Sequence, residues 1–149
     1  MKQDRRAFLR LVSLMTAAGM LPRLAHAETW NQAAFAAKSV DDVVKLLGGS
    51  APQQSDQVVL NGPEIAENGA VVPLEISSKL PGTESIAILI EKNPNMLTAV
   101  FDIPAGTDPA LSTRVKMGQT SNVFALVKAD GKYYVASKEI KVTLGGCGG

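Results

Sequence analysis

Leu111-Ser112-Thr113-Arg114-Val115-Lys116-Met117 places Leu111, Thr113, Val115 and Met117 alternately with Ser112, Arg114 and Lys116. Successive side chains of an extended chain point to opposite faces, so this stretch reads as a strand with one face for a core and one for water. The same period continues in Val123, Ala125 and Val127, in Tyr133-Tyr134-Val135, and in Ile140-Lys141-Val142-Thr143-Leu144. Ile86-Ala87-Ile88-Leu89-Ile90 is apolar on both faces and is predicted to be central. Val58-Val59-Leu60, Val71 to Ser77 and Leu97 to Ile103 complete the strands, with Pro73 marking an edge or a bulge. Gly62-Pro63, Asn68-Gly69, Pro81-Gly82, Asn93-Pro94-Asn95 and Asp130-Gly131 punctuate them as turns, the last as a tight hairpin. Glu64 to Glu67 reads as a polar connection. Strands recurring about every 8–12 residues predict an all-β fold, an immunoglobulin-like antiparallel β-sandwich.

Two short helices are expected ahead of the strands. Thr29-Trp30-Asn31-Gln32 has capping-box spacing and would start a helix through about Ala37. Ser39 would cap a second helix, with Asp41 and Asp42 favourable in its first turn and Gly48-Gly49 at its end. Val40, Val43, Val44 and Leu47 share one face, which predicts a helix lying outside the sheets with its apolar side inward. Met96 and Met117 are read as packing residues.

The first residues are read as an export signal. Arg5-Arg6 opens a twin-arginine pattern, Leu11 to Leu21 is a moderately apolar run, and Ala25-His26-Ala27 is a small-x-small cleavage site before Glu28. The run is too short to span a bilayer, which needs about 20 residues. The expected organisation is therefore a signal peptide over 1–27, a sandwich over 28–144 and a flexible arm over 145–149. Cleavage after Ala27 removes five of the fifteen Lys/Arg and one of the fourteen Asp/Glu, leaving ten against thirteen, a balance of −3. That argues against nucleic acid as a partner, which asks for a basic face. The one histidine, His26, leaves too, and with it imidazole general bases, Cys–His dyads and the common zinc and haem ligand sets. No metal site and no cofactor are expected on this chain.

The last strand leads into Gly145-Gly146-Cys147-Gly148-Gly149, which holds the one cysteine. Glycine lacks a Cβ, so this stretch predicts a thin arm that can carry a thiol into a narrow site. A free thiol titrates near about 8.5, and little in the sequence around Cys147 would activate it. The residues describe a covalent handle rather than an enzyme, with Cys147 as the attachment point and Gly145, Gly146, Gly148 and Gly149 as the arm.

The ending from Lys141 to Gly149 resembles the SoxY family, the sulfur-carrying subunits of the bacterial SoxYZ complex. Pro63 to Pro73, Thr113 to Ser121 and Lys128 to Lys132 resemble it as well. The resemblance implies a periplasmic carrier, exported by the twin-arginine route and bound as a heterodimer to a second β-sandwich subunit, SoxZ. It implies that Cys147 holds inorganic sulfur during thiosulfate oxidation. A haem-containing enzyme would couple thiosulfate to the thiol, a hydrolase would release sulfate, and a dehydrogenase would oxidise the remaining sulfane. Haem and metals would belong to those enzymes, and no membrane contact follows signal cleavage.

The main alternative is a structural or adhesive sandwich that dimerises through a Cys147 disulfide. A ubiquitin-like cytoplasmic sulfur carrier, activated with ATP, conflicts with the export signal. A redox or metal module conflicts with a mature chain of one cysteine and no histidine.

Overall fold

The computed structural model of the chain describes residues 31–143. Helix α1 spans Gln32–Ala36 and α2 spans Val40–Leu46. Nine strands follow: β1 Gln53–Gln54, β2 Val58–Asn61, β3 Ile65–Ala66, β4 Val72–Ser78, β5 Thr83–Ile90, β6 Leu97–Asp102, β7 Ala110–Val115, β8 Ser121–Ala129 and β9 Lys132–Val142. They form two sheets. One runs β1-β9-β8-β5-β6 with β3 also on β9, and the other runs β2-β4-β7. The pairings are antiparallel except for the two-residue bridges of β1 and β3 to β9, which are parallel. The expected all-β immunoglobulin-like sandwich is the fold observed.

The central run explains itself once its two neighbours are seen. β5 lies between β8 and β6. Ile86, Ile88 and Ile90 face the core between the sheets, beside Leu74 and Ile76 of β4 and Val123, Ala125 and Val127 of β8. Ala87 and Leu89 point the other way, into a second cluster with Ala34, Val43, Val44, Leu97 and Leu126. The helices thus cover the outer face of the larger sheet. Each fully buried branched aliphatic contributes about 1.5–3 kcal/mol by leaving water, so a strand buried on both faces is apolar without alternation.

The helix signals divide. Ser39 caps α2 as expected, its Oγ accepting from the Asp42 amide at 3.1 Å. Gly48 and Gly49 close it with bonds to the Lys45 and Val44 carbonyls. The first helix is capped by Asn31, whose Oδ1 accepts from the Ala34 amide at 3.1 Å, and it ends at Ala36; Thr29 lies outside the described residues. Asn31 also donates to the Leu46 carbonyl at 2.8 Å, tying the two helices together. No helix among the described residues is long and apolar enough to cross a membrane.

Three strand readings are corrected. Tyr133-Tyr134-Val135 and Ile140 onward are one eleven-residue strand, not two. The polar connection at Glu64 to Glu67 contains strand β3, and Gln53–Gln54 forms β1. Two-residue strands are too short to show a period, so only the partner strand reveals them. Pro73 is paired with Arg114 of β7, but β2 stops at the level of Glu75, so Pro73 sits where β4 is locally an edge.

Candidate functional site

The sequence directs attention to whatever carries the Gly-Cys-Gly stretch, and that is the end of β9. Its backbone amides are used alternately on the two sides. Lys141 donates to the Glu64 carbonyl at 3.0 Å and Thr143 to the Ala66 carbonyl at 3.1 Å. Between them, Val142 donates to Thr120 Oγ1 at 3.0 Å. β8 ends its pairing with β9 at Ser121 opposite Ile140, so Thr120 extends the ladder by one bond with its side chain. The root of the arm is therefore pinned on both edges, up to the last described residue.

The pinning segment is itself anchored. Asn68 to Val71 forms a turn, with Asn68 Oδ1 accepting from the Ala70 amide at 2.9 Å and the Asn68 carbonyl accepting from Val71. Gly69 accepts from the Met117 amide at 2.7 Å. A Cβ on Gly69 would run into the Met117 carbonyl oxygen and lie 2.8 Å from Val142 Cγ1. Only glycine lets the turn approach the strand this closely. Pro63 to Pro73 and Thr113 to Ser121, two of the stretches that resemble the SoxY family, thus meet around the root of the arm. Ile65 and Val71, 55% and 49% exposed, project from the same segment. A hollow of about 270 Å³, lined by Asn61, Gly62, Pro63, Pro73 and Glu75, adjoins it.

The third of those stretches, Lys128 to Lys132, is at the opposite end of β9. Asp130 and Gly131 both have positive φ, 48° and 72°, which is the type I′ hairpin the sequence predicts. Lys128 Nζ lies 2.6 Å from Glu84 Oε2, and the Gly131 amide donates to Glu84 Oε1 at 2.9 Å. The hydrogen bond from Lys128, then that from Gly131, holds the Glu84 carboxyl below its ordinary value. Glu84 in turn raises Lys128. Tyr133 donates to the Leu47 carbonyl at 3.1 Å, and burial pushes its phenol up.

Cys147, Gly145, Gly146, Gly148 and Gly149 lie outside the described residues, as do Arg5, Arg6, Ala27 and Glu28. What the structure brings together is the support of the arm: Glu64, Ala66, Gly69 and Thr120 around Lys141 to Thr143. Of these, only the Asn68-Gly69 turn carried a local signal. Thr120 is a lone threonine in a loop, and nothing near it in the sequence marks it as a bonding partner for β9. No three His, Cys, Asp or Glu side chains are grouped to hold a metal ion among the described residues.

Comparison with protein families matches the model of the sulfur oxidation protein SoxY over residues 43–147. The chain belongs to the SoxY family. The structure of the sulfur carrier protein SoxY from Chlorobium limicola f thiosulfatophilum is 39% identical, covering 70% of this chain and 96% of that one, with a TM-score of 0.64. Two structures of superoxide reductase (neelaredoxin) from Ignicoccus hospitalis share the fold at 17% and 16% identity. They cover 58% and 66% of this chain and 80% and 87% of theirs, each with a TM-score of 0.52. Comparison with curated protein sequences yields no match. Membership of the SoxY family gives the chain a carrier role in sulfur oxidation and does not favour the adhesive alternative.

Proposed function

We propose that this SoxY-family chain carries sulfur covalently on Cys147, at the end of a glycine arm rooted in β9, and presents it to partner enzymes during thiosulfate oxidation. The observation that carries the reading is the pinned root at Lys141 to Thr143, four residues before the one cysteine of a chain in a sulfur-carrier family. A carrier needs a firm base and a reactive tip. The base is a ladder end bonded on both edges, and the tip is a thiol between glycines.

In the first step the Cys147 sulfur forms an S–S bond with the outer sulfur of thiosulfate. The thiol proton goes to solvent or to a base of the partner, and two electrons pass to a haem-containing coupling enzyme. A hydrolase then releases sulfate, and a dehydrogenase oxidises the sulfane left on Cys147. This chain is a substrate of each enzyme and supplies no cofactor. It works in the periplasm as a heterodimer with a SoxZ-like β-sandwich subunit, exported folded by a signal with Arg5 and Arg6 at its head and a cut between Ala27 and Glu28.

Intact-mass measurement after incubation with thiosulfate and the coupling enzyme tests the carrier role. Wild type gains reductant-sensitive sulfur adducts, whereas Cys147→Ser keeps the fold and the partner and gains none. Adducts that persist on the serine variant, or a wild type that forms only a disulfide dimer, end the reading. For export, Arg5→Lys with Arg6→Lys leaves the protein in the cytoplasm with its signal uncut; normal export of that variant removes the twin-arginine assignment.

A further inference from the structure

Resting on the carrier reading, we propose that the collar at the root of the arm, Ile65 and Val71 with the proline-walled hollow beside them, is the surface on which the arm-accepting enzyme docks. The argument starts from reach. Cys147 is four residues beyond Thr143. At about 3.3–3.6 Å per residue, its backbone lies no more than roughly 14 Å from Thr143, whatever path the chain takes. Enzyme sites are concave. A reacting group set back in a cleft uses most of that length, and the rim of the cleft comes to rest on the surface around Thr143.

That surface is the Pro63 to Pro73 segment. Thr143 bonds to the Ala66 carbonyl, Ile65 immediately precedes Ala66, and Val71 closes the turn whose Gly69 packs against Val142. Among the described residues four large hydrophobic side chains are exposed, Leu46, Ile65, Val71 and Val100. Apolar side chains scattered singly on a surface need no explanation. Two of these four, however, are on the one segment that bonds to the arm. The hollow between Pro63 and Pro73, about 270 Å³, has room for an anchoring side chain from the other protein. Its two prolines are rigid and offer no N–H. Glu64, Glu67 and Lys141 are exposed around these groups, the arrangement of apolar anchors within a charged rim found at specific contacts.

The occupant is the enzyme and not the second subunit, because every enzyme that meets the thiol must cross this ground. A permanent subunit seated here would block it. The collar should therefore act on productive encounter, through KM, and leave both the chemistry and the heterodimer alone.

The test uses the full chain purified with its partner subunit. Initial rates of Cys147 loading with thiosulfate and the coupling enzyme are measured by intact mass over a range of carrier concentrations. Ile65→Ser with Val71→Ser is expected to raise KM for the carrier tenfold or more, with kcat within about twofold. Reaction of Cys147 with a small maleimide and retention of the partner subunit should be unchanged. The milder pair Ile65→Ala with Val71→Ala should give the same pattern with a smaller rise, and serves if the serine pair folds poorly. An unchanged KM in both pairs overturns the collar while leaving the carrier role intact. Loss of the partner subunit, or of self-association seen in wild type, also overturns it by assigning the collar to that interface. Failure of wild type to load at all defeats the carrier reading and the collar with it.

Discussion

Strand β9 begins at a two-residue hairpin and ends in a clamp drawn from segments 22 and 76 residues away in the sequence. At the hairpin, Asp130 and Gly131 supply the turn, and the ion pair and Tyr133 bond are added to it. At the clamp, no residue of β9 itself makes the structure. The Glu64 and Ala66 carbonyls, Thr120 Oγ1 and the space left by Gly69 must all be brought there. A local turn can form wherever its dipeptide occurs. A clamp of this kind forms only after both sheets are in place, and so it reports on the whole fold. Placing the arm at the clamped end gives the carrier a root whose direction is set by the sandwich rather than by the neighbouring sequence.

The sharpest way to break this contrast is Gly69→Ala. The added methyl meets a backbone carbonyl that cannot turn aside, and overpacking of this kind costs about 1–3 kcal/mol. Denaturant unfolding should show a loss near the upper end of that range. Amide exchange at Val142 and Thr143 should accelerate more than exchange at Lys132. Wild-type stability in this variant would show that the turn does not press on β9.

Thr120→Val should come next. It removes the acceptor of the Val142 amide while keeping the shape, at a cost of about 1–2 kcal/mol for a part-buried donor left unpaired. Its mark is local, with faster exchange at Val142 and a hairpin end unchanged by NMR shifts. Equal effects at the two ends would mean that β9 responds as one rigid unit and that the contrast is wrong.

At the hairpin, Gly131→Ala forces a side chain into positive φ with nothing within 4 Å to clash. The expected loss is about 1 kcal/mol, from backbone preference alone. Exchange at Val142 should not change. A loss as large as that of Gly69→Ala would erase the distinction between a local turn and an assembled clamp.

The smallest effect is expected from Glu84→Gln, because both partners of its ion pair are substantially exposed. Glu84 titrates below its ordinary value in the folded protein, so its contribution is present above that ordinary value and is lost as pH falls through the lowered one. Lys128, raised, contributes below the ordinary lysine value and loses that contribution as pH rises through the raised one. Glutamine should therefore flatten the acid limb of a stability–pH curve and do little in concentrated salt at neutral pH. An unaltered acid limb would assign that limb to other carboxylates.

By itself, the sequence determined the strands that show a period, the turns made by particular dipeptides, and the chemistry of the tip. Alternation in Leu111 to Met117 and the Asp130-Gly131 hairpin are readable because each depends only on neighbours along the chain. Ser39 at the head of α2 is readable for the same reason. The tertiary structure alone decided that Tyr133 to Ile140 is part of one long strand. It also decided that Gln53–Gln54 and Ile65–Ala66 join that strand in parallel, and that Thr120 bonds across to Val142. A two-residue bridge has no period, and a threonine hydroxyl has no preferred partner until folding brings one within reach. The residues that hold the root of the arm are visible only there, because they are distant in sequence and meet only when both sheets have formed.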